Sequence, residues 1–506
     1  MSLPPVTSLG VPRLTAGFDE FRRLDLRDHL DMHGDVEPLN LRDLLELTSG
    51  MRLRGRGGAG FPFVKKAQAV LESCRTLDLP PVIVVNASEG EPAAWKDKTL
   101  LARAPHLLLD GAALVAAAFD AEEIVVGVAE GSVGLESVNR ALAERRMPVP
   151  SRIVTVPHRF ISGEAGALIR GINGEGNIPP GVKMHASDSG VDGLPTLLSN
   201  AETFAQLAIG ARIGPYAYAS VGTDAEPGTV LLSVGGAAER PAVVECPAGT
   251  PLKEVLRLCG ASLGPGVLTG GFHGKWMTAE AAGQAEVSRE SFQQNGGALG
   301  AGIILPIGED TCPLGEVAQT LHYLAGESAG QCGPCRLGLP DLARNMSALL
   351  TGKTSLDAVR LSANVVKGRG ACSHPDGTAR FALSALETFA EDLSAHVYGE
   401  GCGKPVRGVL PLPTYAANNA GTRRLSVDWS RCDGHGLCAH VVPDLISLDA
   451  NGFPTVLDMP VPAWQEARAR KAVSICPELA LRLSDPPPPS VPGGGKLIQL
   501  TPRSSR

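Results

Sequence analysis

Cysteine is the residue type that points most directly to chemistry in this chain. Eleven cysteines are present, and six of them fall in two spaced sets in the second half of the sequence. The sequence opens without a basic segment followed by an apolar one, so we expect a cytoplasmic protein. Closely spaced cysteines in such a protein indicate metal ligands rather than disulfide bonds.

The first cysteine set lies in ESAGQCGPCRLG, residues 327–338, and Cys372 follows in RGACSHPDG. Cys332 and Cys335 form a CxPC spacing that is typical of iron–sulfur ligation. A chance grouping of thiols within a helical region is the alternative.

The second set consists of Cys432, Cys438 and Cys476, and Pro477 follows the last of them. This frame resembles a one-cluster bacterial ferredoxin in which His435 stands in the place of the middle cysteine. Three-iron ferredoxins also lack that cysteine, so a [3Fe–4S] cluster is favoured over a [4Fe–4S] cluster with His435 as the fourth ligand. A zinc site is a further alternative, which the wide gap before Cys476 disfavours.

A glycine-rich loop, RGRGGAGFP at residues 54–62, precedes Lys66. Its glycines let the backbone approach an anion closely, so that amides cradle a phosphate and the lysine adds positive charge. The loop fits neither the P-loop nor the GxGxxG pattern, and a flexible surface turn is the alternative.

An acidic loop follows the short apolar run at residues 82–85, which is typical of a buried strand. Asn86, Glu89 and Glu91 in this loop could hydrogen-bond the polar edge of a flat ring, although a solvated loop is the alternative. Two further pieces follow, FISGEA at residues 160–165 and PTLLSNAETF at residues 195–204.

Taken in this order, the four pieces resemble the flavin-bearing, NADH-oxidising subunit of respiratory complex I and the diaphorase subunits of soluble hydrogenases and formate dehydrogenases. The resemblance extends over about residues 40–395. That family binds FMN without a standard Rossmann fingerprint, and the resemblance implies the same cofactor here.

The resemblance also implies which residues contact FMN. Gly55, Gly57 and Lys66 would hold its phosphate and ribityl region, and Asn86 and Glu89 would face the isoalloxazine. The remaining residues assigned to the cofactors on this basis are Gly58 and Ser199.

Three residues would close the other side of the flavin, namely Gly163, Glu164 and Asn200. Glu91 and Phe61 would meet the nicotinamide nucleotide. No side chain is assigned a catalytic role, because the cofactors carry the chemistry.

Some positions depart from the family pattern. Ser88, Ala165 and Ser199 stand where the family has Asp, Glu and Asn, and Ala69 and His185 stand where it has aromatic rings that flank the adenine. The flavin contacts therefore mostly survive while the dinucleotide contacts are thinned, so the sequence supports FMN more strongly than NADH.

In the family, the pattern E-S-C-G-x-C-x-P-C and one distant cysteine ligate a [4Fe–4S] cluster. Cys332, Cys335 and Cys372 match three of these ligand positions, and Ala329 occupies the first. The resemblance therefore implies a three-iron cluster or a four-iron cluster completed by another residue.

Four residues are candidates for that other ligand. His374 and Asp376 follow Cys372 closely. Cys312 and Cys402 are disfavoured because a helix of ~15 residues, more than 20 Å long, would separate either from the cluster.

These residues need elements that position them. The first ~220 residues alternate strand and helix patterns, including one helical stretch that ends at Ala118, which predicts a parallel sheet with helices on its faces. A helical region follows from residue 308, with apolar residues at spacings of three and four, namely Leu314, Val317, Leu321 and Leu324.

The predicted architecture is multidomain α/β and α+β. Its parts are an FMN/NAD-binding α/β domain (1–225), a β-grasp-like (SLBB-type) domain (226–307), a helical iron–sulfur bundle (308–398), a linker (399–422), a ferredoxin-like domain (423–485) and a disordered tail (486–506).

Charge and hydropathy exclude two classes of partner. The net charge is −7 and no basic tract is present, which argues against nucleic acid. No run of ~18–20 apolar residues predicts a membrane span.

The sequence thus predicts an oxidoreductase that moves electrons from NAD(P)H through FMN and the bundle cluster to the C-terminal cluster. The expected partner is an unidentified electron-acceptor protein, such as a membrane haem protein or a redox complex at the inner face of the membrane. The rival hypothesis is an electron-transfer subunit with a decayed nucleotide site that receives electrons from a partner protein.

Overall fold

The computed structural model describes residues 3–181, 184–399, 401–413, 423–443, 445–449, 451–455, 458–461 and 465–484. The chain divides into two compact units, residues 1–412 and 413–506. The predicted disordered tail (486–506) and most of the second half of the predicted linker (414–422) lie outside the described residues.

A four-stranded parallel sheet organises the first part of the first unit. Its strands are β2 (Val82–Ala87), β3 (Glu123–Ala129), β4 (Ser151–Val156) and β5 (Thr196–Asn200), in the order β4-β3-β2-β5. Alternate residues of β2 face two different cores: Ile83 and Val85 pack in one, and Val82 and Val84 in the other. The predicted parallel sheet, covered on both faces, is confirmed.

Eight helices accompany this sheet: α1 (Leu26–His33), α2 (Leu41–Gly50), α3 (Phe63–Leu77), α4 (Lys96–Arg103), α5 (Pro105–Ala118), α6 (Leu135–Glu144), α7 (Ala165–Ile172) and α8 (Ala201–Tyr218). The single helical stretch predicted up to Ala118 is two helices, because Pro105 starts a new one. The first ten residues of α8 are buried on all sides, so the helix shows no periodic apolar face that the sequence could reveal.

Among the described residues, no single helix is both long and apolar enough to cross a membrane. The bent pair α4 and α5 meets that criterion only when the two helices are taken together.

A mixed six-stranded sheet completes the middle of the first unit. Its strands are β1 (Val6–Ser8), β6 (Thr229–Val234), β7 (Ala242–Pro247), β8 (Gly266–Thr269), β9 (Lys275–Thr278) and β10 (Ile303–Pro306), in the order β1-β7-β6-β10-β8-β9. Three short helices pack with it: α9 (Leu252–Leu258), α10 (Ala279–Gln284) and α11 (Arg289–Gln294).

The domain boundary predicted at residue 225 needs one correction. It assigns the N-terminus to the first domain, whereas β1 pairs in parallel with β7 at the edge of the second sheet. A three-residue strand is too short to show a pattern, and its partner lies more than 200 residues away in the chain.

Five helices form the bundle: α12 (Pro313–Gly326), α13 (Leu339–Leu350), α14 (Leu356–Val366), α15 (His374–Thr388) and α16 (Ala390–Tyr398). The four apolar residues that predicted the first of them, Leu314 to Leu324, are all buried. A π-helical turn, Pro334–Gly338, leads into α13.

The second unit contains a three-stranded antiparallel sheet. Its strands are β11 (Arg424–Val427), β12 (Asp458–Pro460) and β13 (Leu481–Ser484), in the order β12-β11-β13. Its helices are α17 (Leu437–Val441) and α18 (Glu466–Ile475).

Candidate functional site

The carboxyl ends of β2 and β5 define one edge of the parallel sheet. Asn86 and Asn200 are register partners there. The chain runs from β2 to β3 and β4 on one side, and β5 lies on the other side of β2. Such a reversal of strand order opens a crevice in which parallel sheets bind ligands.

The glycine-rich loop lies against this edge. An amide–carbonyl bond of 2.9 Å from Gly55 to Phe61 closes the loop. Gly58 and Gly60 adopt φ values of +115° and +64°, a region that favours glycine. A Cβ atom on Gly57 would lie 3.3 Å from that of Asn200, so a larger residue would push the loop off the strand end.

Arg289, at the start of α11, fixes the loop from the second sheet. Its guanidinium donates to the carbonyl oxygens of Gly58 and Gly55 at 3.0 and 3.1 Å. Glu226 pairs with the same guanidinium at 3.2 Å. Sequence reasoning missed Arg289, because no local motif shows which distant arginine contacts the loop.

Lys66, on α3, points to the end of β5. Its ammonium donates to the carbonyl oxygen of Leu198 at 2.7 Å, and burial lowers its pKa. Ser199, the next residue, is buried. A half-buried cation next to the glycine loop is the arrangement expected for binding a phosphate.

A buried ionic network holds Asn200 in place. Lys96 contacts Asp97 at 2.8 Å and Glu202 at 3.0 Å, and the Asn200 amide donates to Asp97 at 2.5 Å. Burial opposes the charge of Lys96, but the surrounding carboxylates outweigh it and raise its pKa. These three charged residues were not predicted as part of the site.

The GE segment completes the strand-end cluster. The Asn86 amide donates to the Gly163 carbonyl at 2.9 Å. A Cβ atom on Gly163 would lie 2.5 Å from the Ser88 carbonyl oxygen, so only glycine fits there. Glu164 caps α7 by accepting from the Ala167 amide at 2.8 Å.

Two of the predicted carboxylates are engaged by backbone amides. Glu89 accepts from Asp97 and Lys98 at 3.3 and 3.1 Å in the first turn of α4, and burial raises its pKa. Glu91 accepts from the Phe272 amide at 2.6 Å. Burial raises the pKa of Glu91 to about 8.

The residues at this edge fit FMN. Within the described parts of the chain, the hydroxyl oxygens of Ser88 and Ser162 are buried next to Asn86 and Gly163 and have no hydrogen-bond partner. Buried hydroxyls without partners are costly unless a ligand satisfies them. Together with the glycine loop and Lys66, they suit a ligand that carries a phosphate, a polyol chain and a polar ring edge.

The predicted nucleotide side is open. The Phe61 side chain is 51% exposed at the loop. Ala69 and His185, which replace the family's aromatic residues, are also exposed.

The three thiols of the first cysteine set converge in the bundle. The sulfur atoms of Cys332 and Cys335 lie 3.4 Å apart. Burial, together with the neighbouring Cys332 and Cys372, raises the pKa of Cys335 to about 12. Ala329 is buried. Three soft sulfur donors at one place are the donor set that an iron–sulfur cluster requires.

The structure engages His374 and Asp376 elsewhere. Both ring nitrogens of His374 have partners, the Leu324 carbonyl at 2.8 Å and His273 at 3.0 Å. Asp376 accepts from the Gly368 amide at 2.6 Å. Neither side chain is presented as a cluster ligand.

The thiols of the second set line one cavity in the C-terminal unit, namely Cys432, Cys438 and Cys476. The Ala480 amide donates to the sulfur of Cys476 at 3.4 Å, a contact typical of cluster ligands. His435 lines the same cavity, and its Nε2 lies 3.2 Å from Glu478. That contact engages the histidine with a carboxylate.

Three family profiles match the chain. They are the Nuo51 FMN-binding domain over residues 49–209, the NADH-ubiquinone oxidoreductase-F iron–sulfur binding region over residues 316–396 and a 4Fe–4S single cluster domain over residues 425–483. The chain is a relative of the flavin-bearing NADH-quinone oxidoreductase subunits and of hydrogenase diaphorase subunits. The resemblance stated from the motifs is thereby confirmed.

Two curated relatives show the extent of the similarity. The NADP-reducing hydrogenase subunit HndC of Solidesulfovibrio fructosivorans is 26% identical, over 79% of this chain and 83% of that protein. The mitochondrial NADH dehydrogenase [ubiquinone] flavoprotein 1 of Dictyostelium discoideum is 28% identical, over 65% of this chain and 73% of that protein.

The fold also matches a solved structure. An NAD+-reducing [NiFe]-hydrogenase in the H2-reduced state aligns with a TM-score of 0.67 and 24% identity, over 78% of this chain and 68% of that chain. This relative of the complex I flavin subunits therefore shares its multidomain α/β fold with that hydrogenase chain.

Proposed function

We propose that the chain oxidises NAD(P)H at a bound FMN and passes the electrons through the bundle cluster and the C-terminal cluster to an external acceptor protein. One observation carries this proposal. A phosphate-suited crevice at the ends of two parallel strands occurs in the same chain as two separate groups of three thiols.

FMN would convert the two-electron hydride of NAD(P)H into single electrons that iron–sulfur clusters accept. Lys66 and the amides of the glycine loop would hold its phosphate. Asn86 and Asn200 would orient the ring, each being fixed by a hydrogen bond of its amide. Phe61 would meet the nucleotide at the open side.

We assign the remaining regions by the same reasoning. The mixed sheet is the β-grasp-like (SLBB-type) domain at residues 226–307, to which β1 is added. Residues 308–398 are the cluster-binding bundle and residues 423–485 the ferredoxin-like domain. The pairing of His435 with Glu478 supports [3Fe–4S] in the latter.

An anaerobic titration of the purified chain with NADH and NADPH tests the proposal. We expect loss of flavin absorbance at stoichiometric nucleotide, together with EPR signals from reduced clusters. Acid-released flavin should be FMN by chromatography. Release of FAD, or the absence of flavin from anaerobically prepared protein, would contradict the proposed cofactor.

The exposure of Ala69 and His185 favours one second candidate function, electron entry from a partner protein. Without aromatic rings at these positions, the adenine of a dinucleotide loses stacking contacts worth about 0.5–1.5 kcal/mol each. Under this alternative, dithionite reduces flavin and clusters while both nucleotides fail to do so.

A further inference from the structure

A third group of cysteine and histidine side chains lies outside both cluster sites. Cys312 precedes α12, His396 lies on α16, and Cys402 follows that helix. Their ligand atoms all lie within 4.8 Å of one another, and Cys312 Sγ lies 3.4 Å from His396 Nε2. The intact 14-residue helix α12 separates Cys312 from the segment that carries Cys332, a span of about 21 Å.

The histidine of this group is oriented as a metal ligand would be. His396 Nδ1 lies 3.1 Å from the Leu350 carbonyl oxygen. A carbonyl can only accept, so Nδ1 carries the proton and the lone pair of Nε2 points to the thiols. Metal-binding histidines are usually held in this way by the nitrogen that does not bind the metal.

Cys312 is also placed as a thiolate ligand would be. It caps α12, and its sulfur accepts from the Gly315 amide at 3.3 Å. Burial and the neighbouring Cys402 raise the pKa of this thiol to about 12, so the group stays protonated without a cation. The N-terminus of a helix stabilises negative charge, and a bound metal would supply the remaining stabilisation that the thiolate needs.

We propose that Cys312, His396 and Cys402 bind one zinc ion. Two thiolates and an imidazole form a donor set that zinc prefers, in tetrahedral geometry. Cys312 is buried while the other two are half-buried. The fourth position can therefore be taken by a water molecule.

The metal would attach the segment 401–413 to the bundle. That segment already contacts the start of α12: the Cys312 amide donates to the Pro405 carbonyl at 2.8 Å, and the Glu316 carboxylate accepts from the Arg407 and Gly408 amides. Lys404 pairs with Asp392 at 3.7 Å. Zinc would add a crosslink between α12, α16 and this segment.

Metal analysis of the full-length chain, expressed with added zinc, tests the proposal. We expect about one zinc per chain in the wild type. Cys402→Ser and His396→Gln should lose that zinc and keep the wild-type iron content. Cys74→Ser, a half-buried cysteine on α3, serves as the matched control and should retain both metals.

Retention of zinc in both variants, or a different metal held by these residues at equal stoichiometry, would overturn the proposal. Absorption fine structure at the zinc edge of the wild type gives an answer that does not depend on variant folding. Two sulfur atoms at about 2.3 Å and one nitrogen at about 2.0–2.1 Å support the site. Three or four sulfur atoms would place the zinc in a cluster site and refute it.

Discussion

Single residues at the flavin edge combine charge with burial. Glu91 is half-buried, and its carboxyl accepts the Phe272 amide. Ser88 and Ser162 leave buried hydroxyls for a ligand. At this scale the site is costly for the empty protein, because polar atoms there are shielded from water.

Glu91 gives a pH dependence of stability. Its pKa rises from 4.5 to about 8 on folding, so the unfolded chain releases the proton first as the pH increases. Stability should therefore fall between about pH 4.5 and 8, by up to about 1.4 kcal/mol for each pKa unit. Glu91→Gln keeps an acceptor for Phe272 and should flatten this fall. Urea unfolding across that range measures it, and equal slopes in both proteins would contradict the expectation.

Ala329 decides the nuclearity of the bundle cluster. It supplies no donor at the family's first ligand position, so the oxidised protein should show a three-iron EPR signal from the bundle besides that of the C-terminal unit. Ala329→Cys should roughly halve the total signal by converting one centre to a four-iron cluster. Ala325→Cys, at a half-buried position on α12, is the control. An unchanged spin count in Ala329→Cys would show that another ligand completes the cluster.

At the scale of elements, parts of the molecule that are distant in sequence fix the glycine loop. α8 provides Glu202 and α11 provides Arg289, whereas β2 and β5 provide the asparagines. The loop therefore depends on the second sheet, which itself supplies none of the residues predicted to bind FMN.

Arg289→Lys tests this dependence. Lysine keeps the charge but cannot bond two carbonyls with a planar fork. Loss of one charged hydrogen bond costs about 1.5–3 kcal/mol, so the dissociation constant for FMN should rise at least about tenfold. Fluorescence titration of deflavinated protein measures it, with the exposed Arg240→Lys as control. Equal affinity in both variants would mean that the loop holds its shape without Arg289.

The sequence was informative where function requires fixed residue types in short motifs. Asn86, Lys66 and the cysteine sets were all found in this way. Arg289, Lys96 and Glu202 could not be found, because ordinary charged residues acquire their roles only through contacts between distant segments. Helix α8 escaped prediction for a related reason: a helix that is buried on all sides lacks a polar face.

At the scale of the whole molecule, the two units carry different redox sites. Cys438→Ala should remove the C-terminal cluster and leave the flavin and the bundle untouched. NADH-dependent reduction of ferricyanide should then stay within about twofold of wild type, while reduction of a one-electron protein acceptor such as cytochrome c falls at least about tenfold. Cys74→Ala controls for the loss of a thiol. Parallel loss of both activities would contradict a linear path.

The edge strand β1 has a consequence for synthesis. Thr7 pairs with Val244, 237 residues later (244 − 7). Glu245, next in β7, uses its buried carboxylate to accept the amides of Leu14 and Thr15. At about 5–20 residues per second, the ribosome needs roughly 10–50 s to deliver that partner. During this interval the nascent amino terminus has no strand to pair with, and the second sheet cannot be completed until translation has passed the middle of the message.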